Sequence, residues 1–173
     1  MSTDPEHADD VRSAADWLAD HFRDLGVDAE VWPTEGHPVV YATYHPHDDA
    51  PTILVYGHYD VQPPDPLDEW TYPPFEPTEV NGDLVARGAC DDKGQMFMHV
   101  KALESYLKSG TTPPVNLTFL IEGEEEIGSA HLPQVLDTYA DRLDADMVLV
   151  SDTSMLADGQ PTVVYGLRGL AYL

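Results

Sequence analysis

Short apolar, β-branched runs alternate along this chain with stretches that repeat hydrophobic residues at helical spacing. From Asp9 to Leu25, the residues Val11, Ala14 or Ala15, Leu18, Phe22 and Leu25 share one face, and Gly26 supplies a stop. Val27 to Trp32 and Val39 to Tyr44 read as strands joined by a turn holding Pro33, Gly36 and Pro38. Strands are also expected at Thr52–Tyr56, Leu84–Ala86, Val115–Ile121 and Met147–Val150. A second helix is expected over Lys93–Lys108, with Met96, Phe97, Val100, Leu103 and Leu107 facing the core and Gly110 at its end. A third is expected over Ser129–Leu143, with Ser129 as its cap. The last segment, Thr162–Leu173, reads as apolar and extended. This alternation implies an α/β sandwich.

The Val61–Pro77 stretch carries Pro63, Pro64, Pro66, Pro73, Pro74 and Pro77, a composition that suits a linker. Trp70, Tyr72 and Phe75 lie among these prolines, so an ordered loop packed on the domain is the preferred reading.

Three of the apolar runs end in metal-binding residue types. Thr52–Tyr56 runs into Gly57-His58-Tyr59-Asp60, Val115–Ile121 into Glu122-Gly123-Glu124-Glu125-Glu126, and Met147–Val150 into Ser151-Asp152. In open α/β sheets, ligands gather beyond the carboxyl ends of the strands. Three such strands would therefore deliver one imidazole and several carboxylates to a common rim.

His58 and Asp60, two apart at a strand end, share a face if extended. A metal-bound imidazole donates its other N–H to a carboxylate or carbonyl, so one of the pair suits a ligand and the other its support. Asp91 and Asp92 precede the second helix, where they suit either N-terminal capping or a carboxylate bridging two metals. The acids from Glu122 to Glu126 suit a solvated loop or a cation site; repelling carboxylates at a strand end are costly without cations nearby.

Charge narrows the function classes. The 173 residues hold 32 Asp and Glu against 8 Lys and Arg, a formal charge of −24. Nucleic acid and anionic membranes both require a basic surface, so neither is an expected partner. Acids spread through a chain that is 42% hydrophobic point to a charged fold rather than a disordered tail. A halophilic source is one expectation, since salt screens the self-repulsion of such a fold. With the single cysteine Cys90, no intramolecular disulfide forms. No apolar run approaches a membrane span and no secretory signal is visible, so a soluble cytoplasmic protein is the default expectation.

Taken together, the Tyr56–Pro63 run, the Trp70–Phe75 loop, Ala86–Gly94, Glu122–Ser129, Ser151-Asp152 and Tyr165–Gly169 resemble the dinuclear zinc exopeptidase and amidohydrolase family. That family includes carnosinase-type dipeptidases, aminoacylase, acetylornithine deacetylase, succinyl-diaminopimelate desuccinylase and glutamate carboxypeptidase. The Gly-His-Tyr-Asp-Val-Gln-Pro-Pro run and the Trp–Pro-Pro-Phe loop are most similar to its dipeptidase branch.

The resemblance implies a three-layer sandwich with a mixed, mostly parallel sheet. It implies His58 and Asp152 as ligands of a first zinc, Asp91 as a bridge followed by a cis peptide at Asp91–Asp92, and Glu126 on a second zinc. Asp60 would orient His58, and Glu125 would be the general base and acid for hydrolysis of an amide bond. Cobalt or manganese would also suit these donors. Substrates would be small peptides or, as an alternative, N-acyl amino acids.

Family members are longer, with a lid and dimerisation domain followed by the rest of the catalytic domain, including a His for the second zinc. Residues 1–173 would then be the N-terminal part of the catalytic domain, ending at Ala171-Tyr172-Leu173 without a cap. Such a fragment is expected to be inactive alone and to dimerise only as the full-length protein. His7, His21, His37, His45, His47, His99 and His131 match no family ligand and are expected to be structural or on the surface. A non-catalytic metal-binding remnant and an acidic module without metal are the rival readings.

Overall fold

The computed structural model of the protein describes residues 1–157, 159–169 and 171. A one-turn 3₁₀ helix at Pro5–His7, capped by the Asp4 carboxylate on Glu6 N at 2.9 Å, leads into α1 (Ala8–Asp24). α1 buries Val11, Ala15, Leu18, Ala19 and Phe22, the face that its periodicity specifies. It ends before Gly26, whose φ of +79° is a conformation that only glycine adopts readily. Strands β1 (Asp28–Trp32), β2 (Val39–Tyr44) and β3 (Thr52–His58) follow.

Next come a small hairpin, β4 (Thr78–Val80) with β5 (Asp83–Val85), and helix α2 (Lys93–Lys108). The chain then forms β6 (Asn116–Glu122), α3 (Leu132–Thr138) and β7 (Met147–Val150).

The main sheet has the order β1-β2-β6-β3-β7. β1 with β2 and β2 with β6 are antiparallel; β6 with β3 and β3 with β7 are parallel. The sheet is thus mixed, and its three parallel strands all point their carboxyl ends at one rim. On one face, α1 and α2 cover Val40, Ala42, Val55, Phe119 and Ile121, with the Phe22 and Phe119 rings 4.8 Å apart. On the other, Tyr41, Leu54 and Leu120 pack with Trp32 and with Val135 of α3. Trp32 is stacked between Tyr41 and Tyr139, at 4.2 and 3.8 Å. Helices on both faces make three layers, and each fully buried Leu or Phe contributes roughly 1.5–3 kcal/mol.

The Pro-rich stretch is an ordered loop held on the domain. Trp70 Nε1 donates to Pro64 O at 2.6 Å, Arg87 donates to Pro63 O at 2.8 Å, and the Arg87 guanidinium lies 5.2 Å from the Trp70 ring centre.

Three local expectations differ from the structure. α3 is shorter than Ser129–Leu143: it starts after His131, and a separate 3₁₀ turn covers Ala140–Arg142. Ser129 does not cap it, because φ there is +52° and its hydroxyl is drawn 2.9 Å from the buried Glu122 carboxylate. Thr162–Leu173 joins no ladder among its described residues, and Val163 and Tyr165 are fully exposed, since a strand needs a neighbour to pair with. Residues 170, 172 and 173 of that segment lie outside the described residues. Among the described residues, no helix is long and apolar enough to cross a membrane.

Candidate metal centre

β3, β6, β7 and the N-terminus of α2 meet at the rim. The last residue of β3, His58, lies in register with Glu122, the last residue of β6. β7 pairs with β3 up to Val150 opposite Tyr56, so Asp152 follows just beyond the ladder. Asp91 and Asp92 come from the turn that opens α2, joined by a cis peptide bond, as the resemblance implied.

His58, Asp91 and Asp152 each offer a ligand atom, and these three atoms lie within 4.8 Å of one another. The fully buried His58 imidazole is the centre of the group. Its Nε2 stands 3.1 Å from Asp91 Oδ1, 3.7 Å from Asp152 Oδ2 and 3.9 Å from Glu125 Oε2. Its Nδ1 faces the Asp60 carbonyl oxygen at 3.2 Å and carboxylate Oδ1 at 3.3 Å. With Nδ1–H donating to Asp60, the Nε2 lone pair is directed into the group of carboxylates.

Asp60 does more than hold the ring. Its two carboxylate oxygens accept the backbone N–H of Glu125 at 3.3 Å and of Glu126 at 3.2 Å. Burial disfavours its charge, but the bond and charge of His58 and the Glu126 N–H outweigh burial and hold its pKa below the usual value. For His58, burial opposes the charged form; Asp60, Glu125 and Asp92 more than offset this and lift its pKa to about 9. The rim therefore carries a surplus of negative charge.

Burial raises the pKa of Glu125, helped by Asp152, Glu126 and Asp60 against the opposing charge of His58. The Glu126 carboxylate lies outside the group of three and instead accepts from Gln62 Nε2 at 2.8 Å.

Sequence reasoning missed several supports. Asp92 does not cap α2: it is fully buried, and its Oδ2 accepts the His58 N–H at 3.2 Å. Burial pushes its pKa up to about 6, and its Oδ1 has no hydrogen-bond partner. Glu122 is buried between the Tyr56 hydroxyl at 2.6 Å and Ser129 Oγ at 2.9 Å, which tie β3 to the end of the acidic loop. Glu124, also buried, accepts from His37 N at 3.0 Å and faces His131 Nδ1 at 2.8 Å. These acids are structural; the sequence signals were a strand end for Glu122 and Glu124 and a helix start for Asp92.

A divalent cation fits this donor set. One neutral imidazole nitrogen with two carboxylates is a common ligand combination for such ions, and a cation would relieve the carboxylate repulsion.

Comparisons with known proteins extend the picture. A family model described as peptidase family M20/M25/M40 matches residues 54–166. The chain is 37% identical over 171 residues to the cysteinylglycine-S-conjugate dipeptidase of Corynebacterium striatum, covering 98% of this chain and 37% of that protein. It is similar in structure to human carnosine dipeptidase 1, with a TM-score of 0.83 and 30% identity over 90% of this chain and 36% of that one. The M20 family metallo-carboxypeptidase of Sulfolobus solfataricus matches with a TM-score of 0.75 and 40% identity, over 81% of this chain and 32% of that one. The chain thus spans about a third of the length of these relatives.

Proposed function

Because the chain belongs to peptidase family M20/M25/M40, we propose that it forms the metal-holding part of a metal-dependent dipeptidase. The observation that carries this reading is the convergence of His58, Asp91 and Asp152 within 4.8 Å. The dipeptidase names of its relatives favour dipeptides over N-acyl amino acids as substrates. Zinc is the proposed ion, with cobalt and manganese as substitutes that suit the same donors.

A divalent cation held by these three residues would polarise the substrate carbonyl and lower the pKa of a water. Asp60 fixes the tautomer and orientation of His58. Glu125, its pKa raised by burial and neighbouring acids, takes the proton of the attacking water and returns it to the leaving amine. Asp60 also holds the N–H groups of Glu125 and Glu126, so the base and the imidazole share one support. Glu126, with Asp91 as a bridge, is the proposed donor to a second cation. In this reading the chain is the N-terminal part of the catalytic domain. With only these two donors to a second ion, it binds one cation weakly and turns over poorly or not at all by itself. A cytoplasmic location and a homodimeric whole protein belong to the same reading.

The test is a zinc titration coupled to hydrolysis of carnosine and cysteinylglycine conjugates. One equivalent of zinc is expected, released by His58→Ala. Hydrolysis by the chain alone is expected to be poor or absent, and whatever remains is expected to vanish in Glu125→Gln with zinc stoichiometry retained. Zinc binding unchanged by His58→Ala would overturn the assignment.

A further inference from the structure

Asp152 is the donor with the weakest visible support. It follows β7, an edge strand with Met147, Val148 and Val150 all more than half exposed. Four residue pairs with β3 hold that strand, and the ladder stops at Val150. At the far end of the strand, Thr52 N and O both bond to Asp146. Beyond Val150, among the described residues, one side-chain hydrogen bond joins the segment to the body of the fold: His99 Nε2 to Ser151 Oγ, at 2.9 Å. The Asp152 carboxylate has no hydrogen bond of its own there; it lies 3.7 Å from His58 Nε2.

His99 is well placed to act as a strut. It stands on α2, the helix whose first turn follows Asp91 and Asp92. The ring is half-buried beside a cleft of about 260 Å³ lined by Val55, Leu103, Phe119 and Leu149, and burial lowers its pKa, so it is neutral at pH 7. Neutral imidazole and hydroxyl form one hydrogen bond in either tautomer. Ser151 is adjacent to Asp152, so a bond fixing Ser151 limits where the next carboxylate reaches.

We propose that His99 is a positioning residue: through Ser151 it sets the reach of Asp152 toward His58 and Asp91, and thereby tunes cation affinity. This rests on the reading that those three residues hold a cation. Supports of metal ligands are worth about 10- to 100-fold in affinity, and a bond one residue removed belongs at the lower end.

The experiment titrates cobalt(II) into the full chain, following the visible absorption of the bound ion and melting temperature in parallel. His99→Phe keeps the ring's bulk and removes the bond; Ser151→Ala removes the other partner. Each is expected to weaken cobalt binding by roughly tenfold, and the double variant no further, because both delete one bond. His99→Gln, whose amide can reach the hydroxyl, is expected to recover most of the affinity. Melting temperature is expected to hold in Ser151→Ala, separating positioning from stability. Unchanged affinity in Ser151→Ala, with binding still lost in Asp152→Asn, would overturn the strut and spare the metal site. Binding indifferent to Asp152→Asn would overturn both.

Discussion

The Asp60 carboxylate lies 3.3 Å from His58 Nδ1, and the same two oxygens receive the N–H groups of Glu125 and Glu126. One buried acid from the end of β3 therefore supports both the imidazole and the loop after β6. Ligand and base cannot shift independently while that carboxylate is in place.

Replacing this acid tests the coupling. Asp60→Asn keeps the shape but halves the acceptor capacity and removes the charge that offsets the effect of burial on His58. Zinc affinity is expected to fall about 10- to 100-fold, as for other supports of metal-ligating histidines. Asp60→Ala, which leaves buried donors unpaired, is expected to cost a further 1–3 kcal/mol or so in chemical denaturation. Zinc titration and urea melts measure the two effects separately.

Gly57 is the close-approach point between β3 and α2. A Cβ there would meet Asp92 Oδ2 at 2.6 Å and Met96 Cβ at 3.0 Å. Gly57→Ala is expected to push Asp92 off the His58 N–H and to destabilise the fold by about 1–3 kcal/mol. Amide exchange at His58, measured by NMR, is expected to quicken relative to the other β3 amides.

Glu104 of α2 sits between Lys101 and Lys108, with His21 of α1 3.2 Å away. Hydrogen bonds from the two lysines draw its pKa down to about 2. A depressed folded pKa means that the stabilisation is present above the ordinary glutamate value and is lost as pH falls toward 2. The melting-temperature gap between wild type and Glu104→Gln is therefore expected to be largest near neutrality and to close in acid. A gap independent of pH would rule the ion pairs out as its source.

A formal charge of −24 on 173 residues makes self-repulsion a property of the whole surface. Raising potassium chloride from about 0.1 to 1 M shortens the screening length from roughly 10 to 3 Å. The melting temperature is expected to rise steadily over that range. A flat or falling curve would remove the case for a halophilic source.

Several of the elements were legible in the sequence. α2 spans Lys93–Lys108 and β7 spans Met147–Val150 as their patterns specify, because helical and strand spacing of apolar residues is a local property. The rim was legible for the same reason: the apolar runs named where three strands end, and β3, β6 and β7 place those ends together. The direction of each polar side chain at that rim was not. Asp92 turned from a capping position to His58 N, Ser129 from a cap to Glu122, and Asp60 toward two N–H groups 65 and 66 residues away. A short polar side chain has a local partner and a distant one within reach, and burial decides between them by raising the cost of whichever group is left unpaired. Spacing along the chain therefore determined which residues arrive at the site. Only the packed structure, by closing off water, decided what each of them holds.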